Sequence, residues 1–261
     1  MMKIMLLLDP EFWHIPVWQK LSVSCRSGHL AFACVYTGMT FLEERTYPDI
    51  IADTINQPDL THLIRQFIHD QYQHNSDSEA TSSTSDLRLP EFHAKISVYS
   101  SAVATFYAPS DISGTGGMRC ERIHATSAWR NGPGRYDCVF VNTDPSVDGM
   151  LGLDIARVRL FFSFKHQDTI FPCALVHWFS RVDDSPDELT GMWIVKPELT
   201  EDGTHIASII HLDTIFRAAH LMPLYGNNAI PKYLSSTQTL DAFNSYYVNK
   251  YIDHHAFEIA F

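Results

Sequence analysis

Between residues 152 and 226, short apolar stretches alternate with polar turns, a rhythm that predicts strands. Residues 155–164 read as a strand. Val158, Leu160, Phe162 and Phe164 fall on one face and Arg157, Arg159 and Ser163 on the other, because side chains alternate along extended backbone. Residues 165–168 turn the chain. Residues 170–179 are apolar on both faces and predict a central, buried strand. Ser185-Pro186-Asp187-Glu188 is a turn, and residues 192–195 and 206–212 read as further strands. Asp213 can cap a helix carrying Ile215, Phe216, Ala219 and His220. Closely spaced short strands with polar turns predict a small barrel.

The flanks have other periods. Ile50, Ile51, Thr54 and Ile55 share a helical face, as do Leu63, Ile64, Phe67 and Ile68, with Pro58 between the two helices. Residues 21–42 are apolar and fit either strand or buried helix. Residues 75–86 hold only Asn, Ser, Thr, Asp, Glu and one Ala, too little apolar surface to offset the entropy of ordering, and predict a flexible linker. Residues 92–107 are rich in β-branched and aromatic types and predict a bent strand. Residues 136–141 predict a short one, and residues 113–117 and 130–135 predict loops. Leu240, Phe243, Tyr247 and Tyr251 give residues 239–251 an amphipathic helical pattern. The expected fold is α+β. A mostly helical segment (1–74) and a linker (75–86) precede a β-rich small-barrel domain with a C-terminal helix (87–261).

Composition narrows the function classes. At 261 residues, 45% hydrophobic and 19% charged, the chain has the makeup of a soluble globular protein. No apolar run reaches the ~18 residues of a spanning helix, and the short apolar start ends at Asp9-Pro10, so neither a membrane span nor a secretory signal is expected. Cys25, Cys34, Cys120, Cys138 and Cys173 are odd in number and without a C-x-x-C pair, which favours a reducing, intracellular compartment. A net charge of -11 disfavours broad binding to DNA. Arg119, Arg122, Arg130 and Arg135 form the one candidate basic patch for nucleic acid.

Candidate chemistry is sparse. Gly114-Thr115-Gly116-Gly117 lacks the Lys-Ser or Lys-Thr of a phosphate loop. His254 and Glu258 are four apart and His255 and Glu258 three apart, a spacing that shares a helical face and suits a metal, with His220 or Asp241 as third ligand. Two capping or surface histidines fit the same string. Asp183, Asp184, Asp187 and Glu188 fit either a Mg²⁺ site or an acidic turn tip. Trp178, Trp193 and Tyr225, with Asp183 or Asp187, fit the aromatic walls and charge partner of a methyl-lysine pocket. Both tryptophans also suit the core of a small barrel.

Two resemblances meet at these residues. Ala156-Arg157-Val158, the corner Trp178-Phe179-Ser180-Arg181 and the strand at 206–211 resemble a bromo-adjacent homology module, a family whose corner usually continues Pro-Glu where this chain has Val182-Asp183. A longer set is similar to the C-terminal region of fungal Plavaka-type transposases of the Kyakuja–Dileera–Zisupton-like group. Its pieces are Phe106-Tyr107-Ala108-Pro109-Ser110-Asp111, Gly117-Met118-Arg119-Cys120-Glu121-Arg122-Ile123, Tyr136-Asp137-Cys138-Val139-Phe140-Val141, Pro172-Cys173-Ala174-Leu175-Val176-His177-Trp178-Phe179, Thr190-Gly191-Met192-Trp193 and Tyr247-Val248-Asn249-Lys250-Tyr251-Ile252-Asp253-His254-His255. The resemblance implies a non-catalytic, transposase-derived module. It implies no cofactor and no catalytic residue in this chain, a nuclear location, and a protein or histone-tail partner in chromatin. DNA binding through the arginine patch and a metal enzyme on His254, His255 and Glu258 are the alternatives.

Overall fold

The computed structural model describes residues 34–36, 45–74, 89–111, 114–226, 230 and 232–261. These all belong to one compact unit spanning residues 31–261. The elements are β1 Cys34–Tyr36, α1 Pro48–Ile55, α2 Leu60–His74, β2 Ser97–Tyr99, β3 Ser101–Tyr107, β4 Met118–Trp129, β5 Gly132–Tyr136, β6 Cys138–Asn142, β7 Leu153–His166, β8 Thr169–Arg181, β9 Ile194–Pro197, β10 Ala207–His211, β11 Ile215–Ala219, β12 Leu221–Pro223, α3 Thr239–Ala242, β13 Tyr246–Val248 and α4 His254–Ile259. The expected α+β fold is present: two helices precede a β-rich region that ends on a short helix. The predicted linker lies outside the described residues.

The main sheet runs in the order β11-β6-β7-β8-β9-β13-β12, with β10 added on β8 and β2 on β7. Its two outermost strands, β11 and β12, are consecutive in the chain and separated only by His220. An open sheet of that width would put them roughly 29 Å apart, at about 4.8 Å per strand. One residue spans about 3.5 Å. The sheet therefore curls until its edges meet, and the stretch 215–223 pairs with β6 on one side and β13 on the other. The result is a nearly closed barrel. Its buried core includes Val139, Ile155, Val158, Phe161, Val176, Phe179, Trp193, Val195 and Tyr246. A second sheet, β1-β3-β4-β5, packs Ala102, Ala104, Phe106 and Ile123 into the same core.

One irregularity changes the sequence reading. Val158 pairs with Val176 but Leu160 pairs with Leu175, so Arg159 is an extra residue on β7, a β-bulge. The bulge reverses the alternation. Val158 packs into the first core, while Leu160, Phe162 and Phe164 pack into a second one. The four apolar residues expected on one face are thus divided between two cores, which strict period-two counting cannot foresee. α1 and α2 cover this second core with Ala52, Leu60, Ile64, Phe67 and Ile68, and Phe67 meets Phe164 and Phe171 edge-on at 6.2 and 6.0 Å.

Four further elements depart from expectation. Residues 130–135, expected as a loop, are a tight turn followed by the strand β5, which pairs with β4. The bend in residues 92–107 is a switch between sheets, β2 pairing with β7 and β3 with β4. Residues 215–219 are a strand, not a helix, because β6 offers them a ladder and only the 3-10 turn Leu212–Thr214 precedes them. Residues 239–251 hold one helical turn, α3, and the strand β13; the terminal helix comes later, as α4. β13 is held between β9 and β12, so tertiary pairing overrides the helical spacing of Phe243, Tyr247 and Tyr251.

Candidate functional site

Two buried arginine clusters stand out, each beside a β-bulge. On β11 the register slips between Ile215 and Arg217, and Arg217 is 3% exposed. Its guanidinium donates to both oxygens of Asp253 at 2.9 and 2.6 Å and to Glu121 at 3.4 Å, and it lies 4.7 Å above the ring of Phe106. Asp253 also caps α4 by accepting from the amide of Ala256, and Glu121 accepts from the amide of Ala218. Burial pushes the Asp253 carboxyl up, but hydrogen bonds from Arg217 and Ala256 together with the charge of Arg217 pull harder and bring it down to about 2. Burial raises Glu121, an effect that Arg217 and Ala218 only partly offset.

His255 completes this cluster. Its ring stacks on Phe106 at 4.7 Å, and Arg217 lies 3.1 Å from Nδ1. A guanidinium can only donate, so Nδ1 accepts and the imidazole is neutral. Burial and then Arg217 lower its pKa to about 4. The cluster clamps β4, β11 and α4 together with two carboxylates facing one arginine. It is a structural clasp.

The second cluster lies on β7 and β8. Arg157 and Arg159 are two residues apart, and the bulge leaves Arg159 without a ladder partner on β8. Arg157, 7% exposed, donates to Asp241 on α3. Arg159 has no carboxylate partner among the described residues, and its guanidinium lies 4.3 Å over the ring of Tyr136. Next to them, His177 pairs across the ladder with Arg157 and stacks on His205 at 4.8 Å and 12°. His177 Nε2 lies 3.4 Å from Gln57 Oε1, at the junction of α1 and α2. Arg157 Nε, Arg159 Nε and His205 Nδ1 are buried without a hydrogen-bond partner. Burial, then Arg159, His205 and Arg157, lowers His177 to about 3. Burial also lowers His205, and burial followed by Arg157 lowers Arg159.

The expected nucleic-acid residues divide into two pairs. Arg119 is paired with Asp111, and Arg122 donates to Ser101. Arg130 and Arg135 flank Trp129 on the β4–β5 hairpin, each 5.3 Å from its ring centroid. The hairpin turns on Arg130 and Asn131, both with positive φ (49° and 61°), the two-residue geometry whose twist suits antiparallel strands. Arg135 also pairs with Asp137, which holds His124 as well. Arg130 has no carboxylate partner among the described residues.

The aromatic residues do not form the expected pocket. Trp193 is 3% exposed in the barrel core and donates to the carbonyl of Phe261, whose ring packs on Gly149 (φ 73°), where any Cβ would clash. Trp178 packs partly buried against the same core. Tyr225, 47% exposed, meets Phe243 edge-on at 5.1 Å. Asp183 and Asp184 are exposed, while Asp187 accepts from the amide and hydroxyl of Thr190 and stabilises its own turn. Arg181, in the corner that resembles the bromo-adjacent homology module, donates to the carbonyl of Met150.

The metal spacing is not realised as a site. His254 and Glu258 are exposed, His255 points into the clasp, His220 is 3.1 Å from the Asn249 side chain, and Asp241 is taken by Arg157. Among the described residues no group of His, Cys, Asp and Glu side chains is arranged to hold a metal ion, and no helix is long and apolar enough to cross a membrane. Sequence reasoning missed both arginine clusters. The available signal was Arg157 and Arg159 in an otherwise apolar strand. No family model, no curated protein and no solved structure matches this chain.

Proposed function

We propose that the chain is a non-catalytic, transposase-derived interaction module that works in the nucleus and meets a nucleic acid through its β4–β5 hairpin. The observation that carries the reading is Trp129 between Arg130 and Arg135 at an exposed hairpin tip. Aromatic and guanidinium planes stack on bases, and unpaired cations displace counterions from phosphates. Arg119 and Arg122 are engaged within the fold and take a lesser part. A histone-tail or other protein partner is the weaker reading, because Trp193 offers no surface and Trp178 and Tyr225 are left without it.

The net charge of -11 makes the contact local. Its salt dependence is shallow: Arg135 is already paired with Asp137, so Arg130 neutralises one phosphate, a slope of about -0.7 on single-stranded DNA. Fluorescence anisotropy with a labelled single-stranded oligonucleotide at low salt tests it. Binding weakened by Trp129→Ala and by Arg130→Gln supports the hairpin. Absence of binding at low salt, or binding untouched by both variants, overturns it.

A further inference from the structure

The cluster on β7 and β8 gathers more buried positive charge and unpartnered nitrogen than its surroundings offset. It holds two arginines and two histidines against one carboxylate, Asp241, which is itself 53% exposed at the rim. Burying a cation without a counter-charge is costly, and the usual remedies are an ion pair or neutralisation. Arg217 shows the first remedy in the same molecule. Arg159 shows neither, since a guanidinium stays charged in proteins. Two buried guanidinium N–H groups here, Arg157 Nε and Arg159 Nε, lack an acceptor and His205 Nδ1 lacks a partner, against one such atom, Arg217 Nε, in the clasp; buried polar groups in folded proteins are almost always satisfied. The bulge that places Arg159 here is a feature that sheets use to re-aim a side chain at a site.

We propose that Arg157, Arg159, His177 and His205 bind a phosphate-type oxyanion. The guanidinium forks match tetrahedral oxyanions in charge and geometry. Tyr136 holds the Arg159 plane from behind, and Gln57 holds His177, so the donors are set before the ligand arrives. An open groove of about 390 Å³, lined in part by Lys232, Tyr233, Gln238 and Asp241, adjoins the cluster through Asp241. Burial keeps both histidines neutral at pH 7. An anion beside them favours their protonation, so binding draws protons from the buffer. The groups that face His177 and His205 are Arg157, Arg159 and Asp241, together with each other.

The test is titration of the full chain with inorganic phosphate at constant ionic strength, followed by amide and imidazole NMR. The expected result is saturable binding, with shifts centred on Arg157, Arg159, His177 and His205 and both histidines moving towards the protonated form. Arg159→Gln weakens binding about tenfold or more, and Arg159→Lys, which keeps the charge and guards against a folding artefact, weakens it less. Tighter binding of phenyl phosphate than of inorganic phosphate assigns the group to a phosphorylated small molecule; equal binding assigns it to the free ion. Binding unaffected by Arg159→Gln, shifts centred elsewhere, acetate bound as tightly as phosphate, or no saturable binding overturns the proposal.

Discussion

Arg217 and Arg159 both lie at bulges in one barrel, and both have most of their surface out of water, yet their surroundings are opposite. Arg217 faces Asp253 and Glu121, and its neutral neighbour His255 accepts from it. Arg159 faces Arg157, a tyrosine ring and two histidines, and the one carboxylate it feels, Asp241, is paired with Arg157. The same residue type on the same kind of irregularity is a clasp where its charge is met inside the fold, and a receptor where it is not. Counting carboxylates around each guanidinium separates the two roles better than burial does.

Breaking the clasp has the largest effect. Arg217→Ala leaves two carboxylates half-sealed against β4 and α4 and unmet. Loss of one partner of a buried ion pair costs about 3–5 kcal/mol, read as a lower urea midpoint. Next in size is the response to acid, which both clusters share. His255 and His177 have folded pKa values of about 4 and about 3, below the ordinary 6.5. Between 6.5 and those values the unfolded chain binds more protons than the folded one, so stability falls as pH falls through that window. Each histidine contributes a slope of up to about 1.4 kcal/mol per pH unit. Urea midpoints measured from pH 7 to pH 4 should decline, and His177→Gln should flatten the decline.

Removing the unmatched charge sharpens the comparison. Arg159→Leu takes away a desolvated cation with no carboxylate of its own, so stability stays within about 1 kcal/mol of wild type or rises. A loss as large as that of Arg217→Ala would mean that Arg159 is a second clasp. Smallest of all is Arg130→Gln at the hairpin tip, expected to change stability by less than about 0.5 kcal/mol while weakening oligonucleotide binding.

The strands of the barrel were legible in the sequence wherever a polar turn closed an apolar run, as at residues 165–168 between β7 and β8. The two helices before the linker were legible from the spacing of Leu63, Ile64, Phe67 and Ile68. β4 was not legible, because its apolar and polar positions do not alternate cleanly along Met118–Trp129. The bulge at Arg159 was also hidden, since one unpaired residue is a property of two strands together and not of either alone. That is why Val158 and Leu160 were expected on one face. The expected aromatic pocket placed its residues at strand ends, but Trp178 lies within β8, and Trp193, just before β9, is buried with its indole N–H satisfied by the carbonyl of Phe261. The arginine clusters depend on side chains from β4, β7, β8, β11, α3 and α4, and no spacing within one segment encodes them.

The most direct test of the contrast between the two arginines is the thermal midpoint of wild type and of Arg159→Leu, each with and without inorganic phosphate at constant ionic strength. A ligand that binds only the native state raises stability by mass action, about 2.7 kcal/mol at a hundredfold excess over its Kd. The cluster on β7 and β8 predicts a phosphate-dependent rise in wild type that is absent in Arg159→Leu. An equal rise in both proteins, or no rise in wild type, would contradict it.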